Sequence, residues 1–242
     1  MPHVNNGGVR ISYRVHGNGE PLVLIHGWSC EGRYWDELGY LGELSTRFRV
    51  VLPDLRGHGE SDTPADRDFS DAAFASDIVA VLDELSIDSA HLFGYSLGGW
   101  VVFELAASFS LRVRRAIVGG AHPYDEDLSA LRAFSPNDIV KMWEALESPL
   151  SQNSMKRLAA AEQRTLADIA NDRVDQTARL RPLKVPWLMI SGTEDWRFEE
   201  MKRFAADTDD CEFVSIDGTD HIQTWMRSDR VSPLLQEFLS HE

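Results

Sequence analysis

The chain has little cysteine and little positive charge, and each shortage narrows what it does. Cys30 and Cys211 are its only cysteines. Two thiols make no disulfide scaffold, and without a paired Cys/His spacing they make no zinc site. Basic residues number 24 against 39 acidic ones, a formal net charge of −15. A field of that sign repels phosphate backbones and anionic membrane surfaces, so neither nucleic acid nor membrane is expected as a partner. The acid is spread along the chain rather than gathered in a tail. Its plain reading is solubility, and the alternative is a mild bias against anionic substrates. No apolar run approaches the ~18 residues a membrane helix needs. The N-terminal MPHVNNGGVRISYRV has no basic start followed by an apolar stretch. That pattern is not a secretory signal, and the expected compartment is the cytoplasm. No G-x-G-x-x-G opens a helix after a strand, and no P-loop or H-E-x-x-H occurs, so neither a cofactor nor a metal is expected.

What is present is alternation. Val9 to Val15 reads as a strand, and Gly17-Asn18-Gly19 as a turn. PLVLIH (Pro21 to His26) and RVVLP (Arg49 to Pro53) are short apolar runs, expected of strands buried on both faces. Gly32 to Phe48 carries apolar residues at helical spacing. Ser70 and Asp71 are cap candidates for a helix with Phe74, Ile78, Val81, Leu82 and Leu85 on one stripe. Ala90 to Gly94, Arg115 to Gly119, Trp187 to Ser191 and Glu212 to Ile216 are further strands. Leu97 to Ala107 and Val231 to Leu239 read as helices. Such alternation predicts an α/β fold, a mostly parallel, doubly wound sheet with helices on both faces. The stretch 121–184 breaks the rhythm. It is polar and helix-forming, and it reads as a short helical cap inserted between core segments 1–120 and 185–242. Substrate selection is expected to fall to it, as insertions on a rigid scaffold carry function.

One motif follows a buried strand directly. Gly94-Tyr95-Ser96-Leu97-Gly98 fits G-x-S-x-G. The chain must turn sharply from strand to helix there, so small flanking residues let the two pass closely. The Ser96 hydroxyl then stands clear, beside the N–H groups that open the next helix.

With that elbow in place the chain resembles the α/β-hydrolase superfamily. His26-Gly27-Trp28 looks like the family's oxyanion-loop motif, and Asp54-Leu55-Arg56-Gly57-His58-Gly59-Glu60-Ser61 like its D-x-R-G-x-G-x-S loop. Asp195, after the strand at Trp187, and His221, after the last strand, fall where the family carries its acid and histidine. The order Ser, Asp, His also matches. The histidine motif is G-T-D-H where G-x-G-H is commoner.

The resemblance implies a serine hydrolase, carboxylesterase-like, acting through an acyl-enzyme on Ser96. His221 would be the general base, with His122 its rival because it too follows a strand end. Asp195 would orient His221, with Asp125 and Glu194 as rival carboxylates. Backbone N–H groups of Trp28 and Leu97 would form the oxyanion hole. His26, Tyr95, His122, Trp143 and Trp225 are weaker candidates for the substrate pocket, each also readable as core. The expected substrate is a small-molecule carboxylic ester of small to medium acyl chain, the expected assembly a monomer or homodimer. Lactone or C–C bond hydrolysis on the same triad is the nearest alternative. A non-catalytic ligand-binding protein of the same fold is the alternative from another class.

Overall fold

Strands occupy the centre of the molecule because their apolar runs are short, continuous and rich in branched residues. The computed structural model describes residues 1–240. In chain order it contains β1 (His3–Asn6), β2 (Val9–His16), β3 (Glu20–Ile25), α1 (Tyr34–Glu37), α2 (Tyr40–Leu44), β4 (Phe48–Pro53), α3 (Asp71–Glu84), β5 (Ala90–Tyr95), α4 (Leu97–Ser108) and β6 (Val113–Gly119). There follow α5 (Pro136–Ala145), α6 (Gln152–Ala159), α7 (Gln163–Ile169), α8 (Thr177–Leu180), β7 (Trp187–Gly192), α9 (Phe198–Ala206), β8 (Cys211–Ile216), α10 (His221–Met226) and α11 (Ser228–Ser240).

The strands form one sheet in the order β1-β2-β4-β3-β5-β6-β7-β8. β2 runs antiparallel to both β1 and β4, and every other neighbouring pair is parallel. The chain leaves β3 for β4 on one side, then crosses back to lay β5 on the other. That reversal opens a crevice beyond the C-terminal ends of β3 and β5, where open α/β sheets place their ligands. Register fixes the crevice: Ile25 lies opposite Gly94, and Tyr95 opposite Gly119.

Alternation along β3 sends its side chains into two cores. Val23 and Ile25 pack with Phe74 and Ile78 of α3, Val101 of α4 and Phe204 of α9. Leu22 and Leu24 pack with Trp35 of α1, Tyr40 and Leu44 of α2, and Leu235 of α11. α3 starts where the Ser70 side chain accepts the Ala73 N–H at 3.2 Å, while Asp71 lies inside the first turn.

Three local features depart from the sequence reading. The single helix expected over Gly32–Phe48 is two short ones, because Gly39 between them adopts φ 92. A Cβ there would stand 2.9 Å from Ser228 Oγ, a contact that local periodicity does not record. α10 precedes the last helix and was not expected. Asp220 caps it, accepting the Ile222 and Gln223 N–H groups at 2.9 and 2.8 Å. The edge strand β1, HVNN, carries no apolar alternation and is likewise unread.

Between β6 and β7 the chain makes α5 to α8 and an isolated bridge between Glu126 and Arg173. α5 has a capping box of Ser135 and Asp138 with Pro136 opening the helix, and it buries Ile139 and Trp143. Arg157 of α6 pairs with the buried Glu31 carboxylate, tying this segment to the loop after β3. Among the described residues no helix is long and apolar enough to cross a membrane.

Candidate active site

The turn from β5 into α4 strains one residue. Ser96 adopts φ 54 and ψ −114, a region that costs roughly 1–3 kcal/mol and persists only where surroundings impose it. The surroundings here are glycines that no other residue replaces. A Cβ at Gly94 would lie 2.0 Å from the Gly98 carbonyl oxygen, and one at Gly98 would lie 2.1 Å from that of Ile25. The strand and helix therefore cross in contact, and Ser96 is held at the bend.

The loop after β3 faces this bend and is held from below by the glycine-rich loop after β4. His26 is fully buried. Its Nδ1–H donates to the Gly27 carbonyl at 2.8 Å, and its Nε2 accepts the Leu55 N–H at 3.0 Å. His58 accepts the Ser29 N–H on Nε2 at 3.2 Å. Asp54 accepts N–H groups of Gly32 and Glu60 at 2.8 and 3.0 Å, and Arg56 forks onto Asp77 at 2.6 and 2.7 Å. The conspicuous D-x-R-G-x-G-x-S segment is thus a clamp on the loop that carries Trp28. The backbone N–H groups of Trp28 and Leu97 have no acceptor among the described residues. Leu97 opens α4, so its donor is free by the geometry of any helix start.

Both clamp histidines must stay neutral to accept those N–H groups. Burial holds His26 down to about 4, and burial together with the nearby His26 holds His58 down to about 3. The unfolded chain binds protons at these residues from about pH 6.5 downward, whereas the folded chain does not. Their contribution is therefore present above pH 6.5 and lost as the pH falls toward 4 and 3, on the order of 3 to 5 kcal/mol per histidine at the acid end. Buried Asp54 and Asp71 are raised by desolvation and act in the opposite sense. We expect the urea midpoint to fall between pH 7 and 4.5, and His58→Gln to flatten that fall, since glutamine accepts the Ser29 N–H without titrating. An equal slope in wild type and variant would refute the assignment.

β7 and β8 deliver the other two residues. His221, first residue of α10, donates Nδ1–H to Asp195 Oδ2 at 2.8 Å. Asp195 Oδ1 accepts the Arg197 N–H at 3.0 Å. Burial opposes ionisation of Asp195, but the hydrogen bond and charge of His221, with Arg197 behind them, hold its carboxyl below the usual range. The Tyr95 hydroxyl donates to the His221 carbonyl oxygen at 2.6 Å and fixes the start of α10. The rival carboxylates lie elsewhere: Asp125 accepts the Asp175 N–H at 2.8 Å, and Glu194 is exposed.

Ser96 and His221 wall one cavity of about 270 Å³. Trp28, Tyr95, Trp143, Trp196 and Trp225 also line it, with Phe134 and Met142 from the segment between β6 and β7. Tyr95 stacks on Trp225 at 5.4 Å, and Trp196 lies 4.5 Å from the His221 ring. Of the pocket candidates, the structure brings Tyr95, Trp143 and Trp225 to this cavity. It does not bring His26 or His122 there. His26 is spent on its loop, and His122 packs against Trp100 and Tyr124 while its Nδ1 accepts the Tyr124 N–H at 3.3 Å. Cys30 and Cys211 are both free thiols. Among the described residues no group of three or more His, Cys, Asp or Glu side chains is placed to hold a metal ion.

Sequence reasoning missed two arginines. Arg197 and Arg173, 3% and 6% exposed, both reach a second, small cavity beside Ser96. Arg197 sits two residues after Asp195, which was the one signal available. Arg173 gave none, because its partner Asp71 is distant in sequence.

The sequence profile of the alpha/beta hydrolase fold matches residues 20–168, more than half of the chain. The chain belongs to the alpha/beta-hydrolase superfamily of enzymes. An uncharacterized protein of Mycobacterium tuberculosis is 37% identical over 122 residues, which are 50% of this chain and 35% of that protein. A 2-hydroxymuconate semialdehyde hydrolase of Pseudomonas sp. is 34% identical over 135 residues, 54% of this chain and 48% of that enzyme. The chain thus spans a third to a half of the length of these relatives. In solved structures, an esterase from Rhodococcus sp. superimposes with a TM-score of 0.83 at 27% identity, covering 98% of this chain and 97% of that one.

Proposed function

We propose that the chain is a serine hydrolase that cleaves carboxylic esters of small to medium acyl chain. The observation that carries the reading is one arrangement: a serine strained at a strand-to-helix bend shares a cavity with a histidine whose far nitrogen is bonded to a buried, ionised aspartate. With Nδ1–H committed to Asp195, the His221 Nε2 lone pair, now 3.5 Å from Arg197 Nη1, turns to take the Ser96 proton in the cavity both residues line. Ser96 Oγ attacks the ester carbonyl. The developing oxyanion meets the Trp28 and Leu97 N–H groups, which have no other acceptor to give up. His221 then protonates the departing alcohol, and water repeats the sequence on the acyl-enzyme. Residues 121–184 act as a cap on a core of 1–120 and 185–242, supplying Phe134, Met142 and Trp143 to the cavity roof. The likeness to the Rhodococcus esterase supports the ester over other acyl substrates.

Two experiments test this. A fluorophosphonate should label the protein once, with the adduct on the peptide containing Ser96. p-Nitrophenyl esters from acetate upward should be hydrolysed with an optimum at short acyl chains. Neither labelling nor turnover above the background of Ser96→Ala would overturn the ester reading and leave a C–C hydrolase or a binding protein in its place.

A further inference from the structure

We propose that the acyl half of the substrate ends in a carboxylate, received beside Ser96 by Arg173 and Arg197. The inference rests on the ester reading above and adds the substrate class to it.

Ser96 borders two cavities. The larger is aromatic and includes His221, with Arg197 on the wall it shares with the smaller. The smaller, about 20 Å³, is walled by Ser96, by apolar side chains including Trp28, Leu97, Trp100, Leu131 and Ile169, and by both arginines, and His221 does not reach it. The proton that His221 returns must go to the leaving oxygen, so the leaving alcohol lies on the His221 side, in the aromatic cavity. The acyl half is then directed past Trp28 and Leu97 into the small cavity.

That cavity holds unspent donors. Arg173 gives Nη1 to Asp71 Oδ1 at 2.7 Å and lies 5.7 Å from the Trp100 ring, but its Nε is buried without any partner. Arg197 gives Nε to Glu126 Oε1 at 2.6 Å and Nη1 to the Gly120 carbonyl at 3.0 Å. Its Nη1 also stands 3.5 Å from His221 Nε2, while Nη2 has no partner among the described residues. Each guanidinium is balanced by one carboxylate, so the cavity carries no large net charge. What remains is the buried Arg173 Nε and the uncommitted Arg197 Nη2, on two residues that wall a space too small for more than a short head group. Buried donors of this kind cost free energy until an acceptor meets them, and a planar carboxylate is the acceptor their fork geometry fits. The acidic surface of the protein would slow the approach of such a substrate, and what the cavity offers it is N–H donors rather than net positive charge.

The test uses a matched pair, monobenzyl succinate and benzyl succinamate, which differ only in carboxylate against carboxamide. The wild-type enzyme should prefer the half ester by about a hundredfold in kcat/KM, as sites built around one polar group discriminate against its absence. Arg173→Gln and Arg197→Gln should each bring that ratio below about fivefold, and Arg173→Lys should keep part of it. Equal kcat/KM for the pair in wild type overturns the proposal even if no variant folds. Binding separates this from failure of the ester reading. Succinate should bind the Ser96→Ala protein about tenfold more tightly than succinamate by calorimetry. If no ester is hydrolysed but succinate is still preferred, the ester reading falls and the anion site stands. If benzyl acetate is hydrolysed through Ser96 while neither measurement favours the carboxylate, the anion site falls and the ester reading stands. If both fail, both are wrong.

Discussion

Ser96→Ala is expected to lower kcat for p-nitrophenyl acetate by about 10⁵-fold, and His221→Ala by a similar factor. The double variant should be no worse than either single one. The two side chains act in one event, since the hydroxyl attacks only as the imidazole takes its proton, so removing either removes the whole. The cost should fall on kcat rather than KM, because the aromatic cavity that receives the substrate is left intact. Ser96→Ala is the cleaner variant. It deletes one oxygen and relieves nothing that the glycine contacts at Gly94 and Gly98 impose. His221→Ala preserves the Tyr95 bond, which goes to the backbone carbonyl, but leaves the Asp195 carboxylate buried without its imidazole. It should therefore cost stability as well as rate. Steady-state kinetics on all three variants decides the matter. Singles that keep a tenth of wild-type activity, or a double whose loss is the product of the two singles, would remove both residues from a shared step.

Much of this arrangement is readable from sequence because it is local. The elbow needs a glycine on each side of the bend: the Gly94 clash lies within four residues, whereas the Gly98 clash is with the Ile25 carbonyl of the neighbouring strand. The strands are readable because burial on both faces leaves an unbroken apolar run, as in β5 and β7, where every residue is buried. Adjacency is a weaker guide. It places Trp28 and Tyr95 at the cavity, yet the same reasoning applied to His26 and His122 leads to side chains that point into their own loops. What escapes entirely is long-range. The break at Gly39 is set by Ser228, nearly two hundred positions later. The arginines are set by Asp71 and Glu126, and nothing near Arg173 announces the pairing. The capping boxes at Ser135 and Asp220 lie between these cases, since both are written in four consecutive residues and require only that they be looked for.

Asp195→Asn should lower kcat by about 10⁴-fold while leaving the fold intact, and Asp125→Asn should change it by less than about threefold. Both aspartates follow a strand, and in both the side chain accepts a backbone N–H, so sequence position alone does not rank them. Geometry does. Asp195 Oδ2 takes the His221 Nδ1–H, which leaves Nε2 unprotonated in the ring that shares a cavity with Ser96. An asparagine can keep the Arg197 N–H on its carbonyl oxygen, but its NH₂ then faces His221 and must donate. The imidazole answers by moving its proton to Nε2, the nitrogen that has to accept from Ser96. The loss is one of tautomer rather than of position, which gives it a signature that a structural lesion lacks. KM and the urea midpoint should stay close to wild type while kcat collapses. Activity should also recover partly at alkaline pH, where hydroxide ion supplies the base that the imidazole no longer provides. Wild type should show no such alkaline recovery. The kcat–pH profile of Asp195→Asn against wild type reads this directly. A variant within tenfold of wild type at neutral pH would pass the orienting role to another carboxylate, and Asp125→Asn is the variant in which it would then appear.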